Sequence, residues 1–446
     1  MESFVRTLDN LLFWGLCALL GFGPLAFGAV DAWAICVLEV GAALLLVVWS
    51  VREMVSRRSQ IVFSPLLLPA LLFGAVVAYQ LVSGNSAYWN ATFSRAMVWA
   101  SYGVILFLTP QAIRRRENIN SFAVFLIIGG FSIAFFAVIQ QFSWNGRIYW
   151  VVPNPQGGWV YGPYVNHAHY AGLMEMLTPL PIVLALSNFF SRPIRALSLF
   201  IAVIMGSTIF LSQSLGGVIS FAAELLFILG ISLIPDRRAS RNMLVLGLLC
   251  ILVVISLLAL HPTGLVDRLA KFRDPLSHSF SGDRLAILFD SFKMARQRPL
   301  TGWGLGAFPI AYPSFRSFYS DFWINEAHND YAQALVETGI LGFGAVLFFL
   351  LTLYRKGLRY VSEWRQDPAA SIKIAALVGC TGLLVHAFFD FNLQIPANAA
   401  LFFALAALAT APHEPMERQK VRRRVTASGA IRTTTRAFVT TRRSSL

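Results

Sequence analysis

The residue types best suited to chemistry cluster at Glu326-Ala327-His328-Asn329-Asp330-Tyr331, followed by Glu337-Thr338-Gly339-Ile340-Leu341-Gly342-Phe343-Gly344. His328 stands just before an apolar run. Imidazole changes charge near neutral pH, so a histidine there can act as a general base. On a helix Asn329, Gln333 and Glu337 share one face at i, i+4 spacing. A lone histidine is more often structural. Here His, Asn, Glu and glycines come together at the mouth of an apolar segment, which favours a functional reading.

Upstream lie Asp267, Arg268, Lys271, Arg273 and Asp274, then Ser281-Gly282-Asp283-Arg284-Leu285 and, after a stretch with helical character, Arg296, Arg298 and Pro299. Guanidinium forks match phosphate oxygens, so these arginines suit an anionic ligand. The bland alternative is that long translocated loops escape charge bias. Leu300-Thr301-Gly302-Trp303-Gly304-Leu305-Gly306 could bring backbone amides to such a ligand, but it lacks the lysine of a P-loop. A third polar stretch runs from Trp144-Asn145-Gly146-Arg147 through Pro153-Asn154-Pro155-Gln156-Gly157-Gly158 to Tyr161. Its aromatics fit as interface anchors. Asn166, His167 and His169 open the next apolar run, where function and plain interfacial solvation are both open. No carboxylate or cysteine completes a metal-ligand set with this histidine pair. Cys17, Cys36, Cys250 and Cys380 all lie inside apolar runs and read as packing residues. No metal and no cofactor is expected.

The elements that must hold these residues are membrane spans. The chain has 446 residues, of which 57% are hydrophobic and 13% charged. Soluble domains carry about 25% charged residues, and one this apolar would aggregate. The formal charge of +14 falls in short loops and in the tail after Pro412, not on a folded basic domain, which argues against nucleic-acid binding. Apolar runs lie near 9–29, 33–51, 62–83, 95–111, 121–141, 168–189, 196–212, 214–234, 243–261, 335–354, 372–390 and 396–411. At about 20 residues per crossing, they predict about 12 spans. Gly216 and Gly217 are the expected divide between the two runs from 196 to 234. Every second exit is basic: Arg52, Arg57 and Arg58; Arg114, Arg115 and Arg116; Arg192 and Arg195; Arg237, Arg238 and Arg241; Arg355, Lys356 and Arg359; then the tail. Positive loops stay cytoplasmic, so both termini are expected inside and two long loops, 142–167 and 262–334, outside. The first apolar run leads straight into further spans, so no cleavable signal peptide is expected. The expected organisation is spans over 1–261, the long loop 262–334, spans over 335–411 and a basic, disordered cytoplasmic tail at 412–446. The fold class is an all-α polytopic membrane protein whose long outward loop, between spans 9 and 10, contains short helices.

These motifs resemble those of the O-antigen ligase and Wzy-type polysaccharide polymerase superfamily. Its ligases share His, then Asn, Ser or Gln, nine residues, Gly, two residues, Gly. Here the match is His328-Asn329, nine residues, Gly339, two residues, Gly342. Arg284 through Arg298-Pro299-Leu300-Thr301-Gly302-Trp303-Gly304-Leu305-Gly306 is similar to the family's segment upstream of the histidine. Asn166-His167-Ala168-His169 is similar to its Asn-x-Asn/His element, and the likeness extends to His386-Ala387-Phe388-Phe389-Asp390-Phe391-Asn392. One position departs. Many members have Ser-Arg-Gly-Gly between two central spans, and this chain has Ser214-Leu215-Gly216-Gly217.

The resemblance implies a metal-independent, inverting glycosyltransferase of the bacterial inner membrane with a periplasmic active site. The donor would be a glycan on undecaprenyl pyrophosphate. The acceptor would be a sugar hydroxyl, on lipid A-core for a ligase or on another lipid-linked glycan for a polymerase of O-antigen or exopolysaccharide. His328 would be the base and Arg284 would neutralise the leaving pyrophosphate, with Arg316 as support. Asn166, His167, His169, Asn329 and Glu337 would line the substrate site. The alternative class is a transporter or flippase of lipid-linked glycan, for which Glu39 and Glu224 are the clearest acidic residues within spans. No internal repeat supports that class, and a non-enzymatic scaffold leaves the Arg and His placement unexplained.

Overall fold

The computed structural model describes residues 2–56, 61–153, 160–233, 239–260, 281–321 and 323–412. Arg57, Arg58, Arg237, Arg238, the stretch 154–159, the group Asp267, Arg268, Lys271, Arg273 and Asp274, and the basic tail after Pro412 lie outside the described residues.

The helices are α1 (Glu2–Leu25), α2 (Ala32–Val55), α3 (Leu67–Val82), α4 (Trp89–Ala112), α5 (Arg116–Phe142), α6 (His167–Leu177), α7 (Pro179–Leu186), α8 (Arg192–Leu211), α9 (Leu215–Ser232), α10 (Ala239–Leu260), α11 (Ser281–Gln297), α12 (Asp330–Gly357), α13 (Pro368–His386) and α14 (Pro396–Thr410). A two-stranded antiparallel ribbon pairs Arg147 with Pro153 and Ile148 with Val152. Among the described residues, nine helices are long and apolar enough to cross a membrane, with α6 and α7 counted as one, and Leu67–Val82, Met243–Ile255 and Pro396–Thr410 are shorter apolar helices. By apolar length alone, then, nine crossings are carried, and the three short helices account for the rest of the runs seen in the sequence.

Local sequence explains where these helices begin. The side chains of Asn166, Ser214, Asn329 and Asp367 accept the N–H groups of Ala168, Gly217, Ala332 and Ala369 at 2.8, 3.1, 2.9 and 2.9 Å. Each satisfies a donor that the first helical turn leaves free. The break between α8 and α9 sits at Gln213, with φ +65, and not at the glycine pair expected to divide them. Gly216 and Gly217 lie inside α9, where they let neighbouring helices approach.

The α6–α7 span is 100% buried and α13 83%, whereas α2 is only 22% buried. The α6–α7 pair and α13 are therefore the centre, with Ala-rich α14 beside them; small side chains allow such close helix approach. One end of α13 starts at Asp367, which takes Arg116 in a two-bonded pair at 2.7 and 2.7 Å. The other end delivers His386 and the turn after it to the candidate site.

The described part of the long loop has a small core of its own. Ile287 and Met294 of α11 pack with Phe308, Tyr312, Ala327 and Val336. Beneath α11 the buried carboxylate of Asp290 accepts from Lys293 Nζ at 2.8 Å and from Ser317 N and Oγ at 2.8 and 2.9 Å. The segment is thus folded onto the start of α12.

Candidate active site

His328 has φ +51, a left-handed conformation that a non-glycine residue adopts only when its surroundings enforce it. The two residues after it do so by gripping the turn that follows α13. Asn329 Nδ2 donates to Phe388 O at 3.1 Å, and Asp330 N donates to Ala387 O at 2.9 Å. The Asp330 carboxylate accepts from Leu393 N at 3.0 Å and from Gln394 Nε2 at 3.2 Å. Inside the gripped turn stands Asp390. Its Oδ1 lies 3.3 Å from His328 Nδ1, and its Oδ2 lies 3.7 Å from Arg284 Nη2. Arg284 also donates through Nη1 to Phe389 O at 2.7 Å.

One carboxylate therefore faces both a histidine and an arginine brought from different segments. The side chains of His328 and Arg284 are 28% and 31% exposed, and that of Asp390 only 3%. The imidazole and the guanidinium are open to solvent, and the carboxylate that both face is sealed underneath. Burial on its own raises a carboxyl pKa; the hydrogen bond with His328 and the charge of Arg284 outweigh it and hold Asp390 well below the ordinary carboxylate range.

Phe391 joins this cluster to α6. Its ring meets His328 edge-on at 4.9 Å between centroids and His169 at 4.7 Å. His169 is buried, and neither its Nε2 nor His167 Nδ1 has a hydrogen-bond partner among the described residues. Asn166 is the cap of α6 and Asn329 the cap of α12. The structure thus brings together His328, Asn329, Arg284 and, across Phe391, His169. Asn166 and His167 stand at the start of α6, next to His169, and the remaining two candidates, Arg316 and Glu337, lie elsewhere. Arg316 is exposed and donates to Ser320 O at 3.4 Å. Glu337 is buried in α12, where it accepts from Gln333 Nε2 at 3.3 Å and from Phe308 N at 3.4 Å. Leu215 is 52% exposed at the first turn of α9.

The glycine run has a use different from the expected approach to a ligand. Within α12, Gly339 takes φ 62 and ψ −168, which opens the helix. Pro299 O and Leu300 O then accept from Ile340 N and Leu341 N at 2.8 and 3.2 Å, and Trp303 N and Gly304 N donate to Val336 O and Glu337 O at 3.0 and 3.0 Å. Gln80 of α3 seals the join, donating to Thr301 O at 2.5 Å and Glu337 O at 2.8 Å. A Cβ at Gly302 or Gly339 would lie 2.4 Å from backbone atoms of the opposite strand, so glycine is required on both sides.

Two groups were not singled out in the sequence. Asp390 has no role there, although a carboxylate alone in Phe388-Phe389-Asp390-Phe391 between apolar runs was a visible signal. Glu175 is fully buried in the α6–α7 span, a lone carboxylate between Met174 and Met176.

Residues 200–349 match the family model described as O-Antigen ligase. Over that segment the chain is similar to the O-antigen ligase family. No curated protein matches it. The matched segment contains Arg284, Arg316, His328, Asn329 and Glu337, as well as Leu215. Asn166, His167, His169 and Asp390 fall outside it, so their association with the site rests on geometry. With its many apolar helices, this O-antigen ligase relative is a multi-pass membrane protein. Among the described residues no group of three or more His, Cys, Asp or Glu side chains could hold a metal ion.

Proposed function

We propose that the chain is a metal-independent, inverting glycosyltransferase. It moves or polymerises a glycan from an undecaprenyl-pyrophosphate donor onto a sugar hydroxyl at the periplasmic face of the inner membrane. The observation that carries this reading is the placement of His328 and Arg284 on opposite oxygens of Asp390. With Nδ1–H donated to Asp390, His328 Nε2 keeps its lone pair for a proton. The acceptor O–H attacks the anomeric carbon, the bond from that carbon to the phosphate oxygen breaks, and the proton passes to His328. Attack opposite the leaving group inverts the centre. The pyrophosphate leaves with its bonding pair, and the Arg284 guanidinium neutralises that charge. The apolar flanks of the bundle hold the polyprenyl tail, and His169 and His167 border the site on the α6 side. Alternating basic exits support a cytoplasmic position for both termini.

The test is His328→Ala in purified, lipid-reconstituted protein with a lipid-pyrophosphate-linked glycan. Loss of the base should lower transfer about 10²- to 10⁴-fold while the protein still inserts and folds. Glycan transfer at the parental rate would remove His328 as the base.

A further inference from the structure

His386 ends α13 four residues before Asp390 and is held at both ring nitrogens. Its Nδ1 lies 2.9 Å from Glu175 Oε1 and 3.2 Å from Glu175 Oε2, and its Nε2 lies 3.4 Å from Ser214 Oγ. Glu175 belongs to α6, and Ser214 is the cap of α9. The side chains of His386 and Glu175 are 1% and 0% exposed. A Cβ at position 216 would stand 2.6 Å from the ring, so α9 reaches the histidine only because that residue is Gly216. One imidazole thus ties three helices together. Such a buried ionisable pair is costly to build and to break, so it fixes its surroundings firmly.

The main chain of His386 continues into the site. Its carbonyl accepts the N–H groups of Phe389 at 2.8 Å and Asp390 at 3.1 Å. Phe389 O is the anchor of Arg284, and the Asp390 carboxylate is the partner of His328. Asn329 and Asp330 grip the same turn from α12. The turn is therefore fastened from two directions, and the second fastening runs through the buried ring of His386.

We propose that Glu175 and Ser214 hold His386 as a positioning residue for the transfer reaction, setting the turn from which Asp390 orients His328 and Arg284. The inference rests on the glycosyltransferase reading but has a readout independent of it. Nearby Glu224 is fully buried, and neither of its oxygens has a hydrogen-bond partner among the described residues. It serves as the control.

The experiment uses the full chain in lipid nanodiscs with a lipid-pyrophosphate-linked glycan. It compares His386→Gln, Glu175→Gln, Ser214→Ala, Asp390→Asn, Glu224→Gln and the His386→Gln/Asp390→Asn double variant. His386→Gln and Glu175→Gln should lower kcat about 10- to 100-fold, as a displaced catalytic group does. The KM for donor should stay within about twofold, because ground-state binding is untouched. The double variant should be no more than about threefold slower than Asp390→Asn alone, because both changes cut one link. Glu224→Gln should keep the parental rate. In parallel, the rate at which diethyl pyrocarbonate modifies His328, read by mass spectrometry, should in His386→Gln and Glu175→Gln move to that of Asp390→Asn. Three results overturn the positioning role: parental kcat and parental His328 reactivity in the folded variants, a double variant slowed by the product of the single effects, or an equal loss in Glu224→Gln. If His386→Gln does not fold, Glu175→Gln and Ser214→Ala carry the same test; failure of all three to fold assigns the pair to stability alone. A parental protein that transfers no glycan overturns the glycosyltransferase reading instead, and the His328 modification rates still decide the positioning.

Discussion

Asp390 is the residue on which the site turns. Asp390→Asn keeps the shape but removes the charge that faces His328 and Arg284. Transfer should fall about 10²-fold or more, since the orienting partner of a catalytic histidine is a large contributor. The pH sign can be worked out. The pKa of Asp390 is depressed in the folded protein. Its contribution to stability is fully present above the ordinary carboxylate pKa of about 3.9 and is lost only as pH falls through the lower native value. Rates measured from pH 5 to 8 should thus show no limb from Asp390, and a limb that vanishes in Asp390→Asn while His328 is intact would contradict this. Arg284→Lys should not restore donor use, because an ammonium cannot reach Phe389 O, Asp390 and a pyrophosphate oxygen with one planar fork. Parental kcat/KM for the donor in that variant would show that charge alone suffices. At this scale the sequence was informative where residue type is distinctive. His328 and Arg284 stand out by position and charge. Asp390 does not, because its meaning depends on a contact across 62 residues of chain.

At the scale of elements, the break in α12 explains the glycine spacing. His328-Asn329 and Gly339 lie on one helix because its cap grips the α13 turn while its break receives the glycine run. Gly339→Ala should cost about 2–5 kcal/mol, since the new side chain meets backbone at a positive φ. A melting curve of the purified variant checks it; an unchanged midpoint would mean that the join can relax. Helix positions were legible from apolar runs, whereas the caps Asn166, Ser214, Asn329 and Asp367 came only with the structure. The runs 196–212 and 214–234 put the division of α8 from α9 at residue 213, where it falls, but the glycines credited with it lie inside α9, because glycines in a membrane helix serve approach as readily as termination. The assignment of Glu337 to the site assumed a continuous face from Asn329, and that face turns instead toward Phe308 and the glycine run.

For the molecule as a whole, the match over residues 200–349 carries the likeness to O-antigen ligases, and the sequence motifs already carried it. Adding EDTA to the purified protein should leave transfer unchanged; activity lost and then restored by a divalent ion would overturn the metal-free reading. Deleting the chain from its host should separate the two branches of the proposal. Lipid-linked polymer accumulates if a ligase is missing, and single lipid-linked repeats accumulate if a polymerase is missing; neither accumulating would remove both. The stitched join between residues 299–304 and 336–341 has a consequence for traffic. A flap that opens has to swing on free ends, and this one is sewn by main-chain bonds into a helix of the bundle. Residues 299–304 therefore form a fixed wall beside α12. For the lipid-linked donor proposed above, that stretch cannot lift to admit substrate, so entry sideways between helices is the expected route.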